Sequence, residues 1–178
     1  MSRLLLILTA CLTAEGCANA PREKMMKMDL VTTVTRENGK TQVEALLRNA
    51  GTEPVRILLE FQLSQTYGSL TDDQGRVLSA QDSRAAQGRR NFDQPPKTVL
   101  LKPGDQVRVE GFTLLPEIPN ALTRHMSWNL SEIRSKTLTL ELSYQVTDEA
   151  AGLAKQLKAP DVAVGTWTSE PVTLPFKE

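Results

Sequence analysis

The sequence predicts an all-β fold, an antiparallel β-sandwich of about seven to nine short strands with one helical crossover near residues 148–158. Three observations carry this. Apolar and polar residues alternate with period two through most of the chain after Lys27, hairpin-type turns punctuate those runs, and no internal repeat offers another architecture.

Taken in order, Met28, Leu30, Thr32 and Val34 form the first alternating face. Asn38-Gly39 follows, the dipeptide best suited to two successive positive φ values, so a two-residue hairpin is expected there. Val43, Ala45 and Leu47 continue the pattern on the return strand. The segment 49–54 (Asn-Ala-Gly-Thr-Glu-Pro) is a turn, after which Val55, Ile57, Leu59, Phe61 and Leu63 read as one strand with Arg56, Glu60 and Gln62 outward. Asp73-Gln74-Gly75 and Lys102-Pro103-Gly104-Asp105 are further turns, the latter leading into Val107 and Val109. Residues 116–135 fit two descriptions. Leu122, Met126, Leu130 and Ile133 would share a helical face, whereas 126–130 would serve equally as a strand.

Alternation is cleanest over 137–146, where Leu138, Leu140, Leu142, Tyr144 and Val146 take one face; a one-residue slip would expose the whole set. Beyond it, Thr147 or Asp148 caps a short helix with Leu153 and Leu157 as its apolar i,i+4 pair, and Pro160 stops it. That helix is expected to join the last two strands.

The start of the chain has a different character. Arg3, an apolar run from Leu4 to Ala14 and then small residues compose an export signal, too short to span a bilayer, which takes about 20 apolar residues. Ala18-Asn19-Ala20 has the form of an ordinary signal cleavage site, but Pro21 after it is a poor residue for a peptidase that binds extended backbone. Ala14-Glu15-Gly16-Cys17 and Leu8-Thr9-Ala10-Cys11 each resemble the lipobox of bacterial lipoproteins, in which small residues precede a cysteine that receives diacylglycerol. Cys17 keeps the longer apolar run ahead of it and is the expected lipidation site; Cys11 is the alternative. The expected organisation is therefore a signal peptide at 1–16, a lipidated N-terminus and tether at 17–26, and one sandwich domain at 27–178. The resemblance implies attachment to the cell envelope through lipid, and Ala18 after the cysteine implies the outer membrane facing the periplasm; the Ala20 cut would instead give a soluble periplasmic or secreted protein.

No cysteine follows position 17, so the exported domain must be held by its core without disulfides. Cutting before Cys17 leaves 162 residues, enough to bury about two-thirds of the unfolded surface. Lys and Arg total 21 and Asp and Glu 21, a balance that points to no nucleic acid and no electrostatic membrane binding.

The stretches "VEALLRNAGTEPVRILLEF", "TDDQGRVLS" and "LLKPGDQVRVEGFTL" are similar to immunoglobulin-like domains of bacterial envelope proteins, and more loosely to the domain of the Bacillus intracellular proteinase inhibitor BsuPI. The likeness covers roughly residues 28–115 and lies in turn motifs, so it implies an immunoglobulin-like sandwich and assigns no functional residue.

Motifs for chemistry are sparse. His125 is the only histidine, and any Ser-His-Asp arrangement would have to form around it. One histidine and no free mature cysteine argue against zinc, Asp72-Asp73 lacks the EF-hand spacing, and no phosphate-binding glycine loop is present, so no metal or cofactor is expected. Trp128 and Trp167 read as core or rim aromatics. The exception to this plainness is residues 80–96, 17 residues without periodicity, longer than a passive connection usually is. Arg84, Arg89, Arg90 and Phe92 within it suit a protein partner, while Gly88-Arg89-Arg90 would suit the cleft of a trypsin-like protease. The expected role is a non-catalytic, membrane-anchored binding or structural module; a protease inhibitor using the 80–96 loop is the alternative, and an enzyme built around His125 the third.

Overall fold

A computed structural model describes residues 26–59, 63–82, 95–115, 117–118, 120–123 and 125–177. Strands β1 (Met28–Glu37), β2 (Lys40–Asn49), β3 (Val55–Leu58), β4 (Gln65–Asp72), β5 (Val77–Leu78), β6 (Ala80–Asp82), β7 (Thr98–Leu101), β8 (Gln106–Leu114), β9 (Asn120–Leu122), β10 (Met126–Asn129) and β11 (Thr137–Val146) precede helix α1 (Asp148–Gln156), and β12 (Gly165–Thr168) and β13 (Val172–Pro175) follow it. The ladders between them are antiparallel.

One layer has the order β1-β2-β8, and the other β12-β11-β4-β5 with β13 also on β11; β3 with β7, and β6-β10-β9, form two smaller sheets. β1 passes close to β11, β12 and β13, which brings the two larger sheets together. Between them lies one apolar core that includes Leu30, Val43, Ala45, Leu47 and Leu114 from the first layer and Leu70, Leu138, Leu140, Leu142 and Leu174 from the second. The fold is all-β, as the alternation required, and the five apolar positions of β11 are all buried.

Local chemistry explains the register. Glu37 pairs with Lys40 across Asn38 and Gly39, whose φ values of 51° and 75° make the tight turn expected of that dipeptide. Asn49 ties the following turn together: its Nδ2 donates to the Glu53 and Leu101 carbonyls at 2.8 and 3.0 Å, and its Oδ1 accepts from Gly51 N at 3.0 Å. At α1, Thr147 is the cap, its hydroxyl accepting from Ala150 N at 3.1 Å.

Several expectations need correction. The strand read over Val55 to Leu63 ends at Leu58, and both Ile57 and Leu58 are buried, which breaks the alternation; Phe61 lies outside the described residues. In β8 the register shifts between Ala45 and Leu46, so Val109 is an extra residue, and Val109 and Glu110 are buried in succession. The undecided region holds two short strands, β9 and β10. Thr123 closes the turn between them, its N–H reaching Met126 O at 2.8 Å while its hydroxyl accepts from Met126 N at 3.0 Å. On α1 the inward residues are Ala150 and Ala154, with Leu153 exposed and Leu157 half-buried, because the helix lies against the core through its small side chains. The helix also joins β11 to β12 and not the last two strands. β12 and β13 both lie along β11 as one interrupted strand, and Ser169 bridges the break: its N–H donates to Leu142 O at 2.8 Å and its Oγ accepts from Leu142 N at 3.1 Å.

Candidate functional site

Two hollows meet on the surface where the β4–β5 turn faces the segment 129–135. One, about 280 Å³, is lined mainly by Asp72, Asp73, Arg76, Glu132, Arg134 and Ser135. Its neighbour, about 370 Å³, runs along Val77, Leu78 and Ser79 to Asn129, Ser131 and Ile133. Arg76 and Glu132 border both, so the two form one groove.

Asp72 builds the first wall. Its Oδ1 accepts from Arg76 N at 2.8 Å and Gln74 N at 3.1 Å, and its Oδ2 takes Arg76 Nε at 2.9 Å. The turn read from the sequence at Asp73-Gln74-Gly75 is thus folded by the carboxylate of Asp72 just ahead of it. The second wall is fixed by Ser135, whose Oγ donates to Asp73 Oδ1 at 2.9 Å, and by Lys177, whose ammonium reaches Ile133 O. These bonds shape a rim of mixed charge, with Glu132 and Arg134 exposed. Such a surface can hold polar and ionic groups of a partner.

The hydrogen bond from Arg76 N is the main influence holding the Asp72 carboxyl below its ordinary value of 3.8, against the opposing effect of desolvation, with Gln74 N–H and the Arg76 guanidinium adding to it. A carboxyl depressed on folding stabilises the fold above its unfolded value, and that stabilisation is lost as pH falls through the lower folded value. The groove turn is therefore expected to loosen only as pH drops below 3.8. Amide exchange at Gln74 and Arg76, followed from pH 6 downward, should show protection there fading in that range, and the same fading in an Asp72→Asn variant, which has no carboxyl to protonate at that position, would contradict it.

His125 lies elsewhere, beside the start of β10. It is 3% exposed, and its Nδ1 accepts from Thr66 N at 3.0 Å. The ring thereby satisfies a backbone donor at the first turn of β4, a structural task. Trp128 is fully buried, while Trp167 is half-buried and stacks on Tyr144 at 6.2 Å between centroids. Among the described residues no group of three or more His, Cys, Asp and Glu is placed to hold a metal ion.

The groove residues Glu132, Arg134 and Ser135 escaped the sequence reading; only the Asp-x-x-Gly turn signalled that part of the surface. Arg84, Arg89, Arg90 and Phe92, and the lipidation candidates Cys17 and Cys11, lie outside the described residues. No helix among the described residues is long and apolar enough to cross a membrane. No protein-family model, curated protein or solved structure matches the chain.

Proposed function

We propose that the protein is a lipid-anchored component of the cell envelope whose sandwich is a non-catalytic module that binds another protein. The observation that carries the binding half is the groove between the β4–β5 turn and 129–135, which is prearranged by Asp72 and Ser135 and bordered by the exposed charges of Glu132 and Arg134. The engagement of His125 Nδ1 with a backbone amide supports the non-catalytic reading. The anchor half rests on the leader and on Cys17 behind Ala14-Glu15-Gly16. At about 0.8 kcal/mol per buried CH₂, two or more acyl chains give a stable attachment where one is marginal.

Mass spectrometry of the mature N-terminus tests the anchor: a peptide beginning at acylated Cys17 is expected, and an unmodified one beginning at Pro21 refutes it. For the groove, a photo-crosslinking side chain at exposed Gln74 should trap a defined adduct in intact cells that the same side chain at Thr35, on β1, does not. Identical adduct patterns from the two positions would refute binding at the groove.

A further inference from the structure

We infer that an anchor at Cys17 fixes which end of the sandwich meets the bilayer: the end bearing the 49–54 and 102–105 turns rests on the lipid headgroups, and the groove faces the aqueous compartment. This rests on the anchor reading above, and adds to it a membrane-facing surface and a direction from which the groove's partner must come.

Strand directions carry the argument. The chain enters the fold at Lys27, whose carbonyl accepts from Ala50 N at 2.9 Å, and Met28 pairs with Asn49. Asn49 in turn exchanges backbone bonds with Gly104 and Asp105, at 2.8 and 2.9 Å. The tether thus leaves from the turns at one end. β1 runs its ten residues away from that end, a span of about 33 Å. At the far end Thr41 Oγ1 donates to Pro175 O, Phe176 N reaches Lys136 O at 2.8 Å, and Leu138 pairs with Asp72. The groove therefore belongs to the end opposite the tether.

Reach then decides orientation. Ten chain steps separate Cys17 from Lys27, so the two lie at most about 33–36 Å apart whatever path the chain takes between them. With the turn end on the membrane that reach is ample. With the groove end there, the ten steps must cover the whole length of β1, which takes up almost all of that reach. Charge does not oppose this choice, since Lys27 and Lys102 at the turn end are accompanied by Glu53 and Asp105. A Cys11 anchor would add six residues of slack, reaching about 53–58 Å, and would remove the constraint. A groove turned outward meets a protein approaching from the aqueous side, and not lipid.

The test uses the full lipidated chain in phosphatidylcholine vesicles carrying a headgroup nitroxide. The mature chain has no cysteine besides Cys17, so Glu53→Cys and Gln74→Cys each accept one fluorophore. The label at 53 should be quenched at least about threefold more than that at 74, given a separation comparable with the length of β1. A flexible insertion of about ten residues after Lys24 should bring the two toward equality. Equal quenching before the insertion, or stronger quenching at 74, in protein shown by mass to be acylated at Cys17 overturns the orientation alone. Protein lacking acyl mass and free of the vesicles overturns the anchor, and the orientation with it.

Discussion

Trp128→Ala is expected to lower stability by about 3–5 kcal/mol, the loss typical of deleting a buried large aromatic. Trp128 is 0% exposed and lies where a Cβ on Gly68 would come within 3.4 Å of its Cη2 and 2.8 Å of Leu142 Cδ2. A side chain at Gly68 would therefore press on Leu142 and only touch the indole, which packs over the bare backbone of β4. Removing the indole leaves a hole bounded by strands already fixed by their ladders, so collapse is limited and the cavity cost remains. Trp128→Phe should behave very differently. The indole Nε1 is buried with no acceptor among the described residues, and eliminating an unsatisfied buried donor offsets much of the lost contact area. Phe is therefore expected to come within about 1 kcal/mol of the parent. Urea unfolding followed by circular dichroism distinguishes the two, with a midpoint displaced by about 2 M for Ala at ordinary m-values and little displaced for Phe. Equal losses for both would show that the orphaned N–H carries no penalty.

Asn49→Ala should cost about 2–4 kcal/mol, because one fully buried side chain satisfies three backbone groups: the Glu53 and Leu101 carbonyls and the Gly51 amide. Size is not the reason, and Asn49→Asp isolates the point. Aspartate has nearly the same volume but offers no N–H, so its oxygens would confront two carbonyls that they cannot bond. Asp is expected to be no better than Ala. If Asn49→Asp unfolded at the parent's urea midpoint, the donor role would be wrong. Both variants should also loosen the 102–105 turn, since they lose the side-chain bond to Leu101 O just ahead of it, and faster amide exchange at Gly104 would report that.

These two residues mark what was and was not readable in advance. Period two over 137–146 stated both the strand and its buried face, because alternation is a property of a single chain. Asn38-Gly39 stated its turn for the same reason. Asn49 was recognisable as a turn residue, and the likeness to envelope domains rests partly on that turn, but its bond to Leu101 spans 52 positions and no local pattern encodes it. The extra residue at Val109 becomes visible only against β2, and the inward face of α1 only against the core, which admitted Ala150 and Ala154 and left Leu153 outside. The groove was half legible for a similar reason. Asp72 to Gly75 is a local motif, whereas Glu132, Arg134 and Ser135 reach it through the path of the chain after β10.

Two of the border strands of the large sheets, β8 and the β12–β13 pair, are interrupted as templates: one carries the unmatched Val109, and the other is broken around Ser169 and Pro171, where proline has no N–H to give. A long, unbroken, flat border invites strands of other molecules to pair along it. The kink in β8 and the gap between β12 and β13 shorten the run of matching partners that either of these borders offers to a strand of a second molecule.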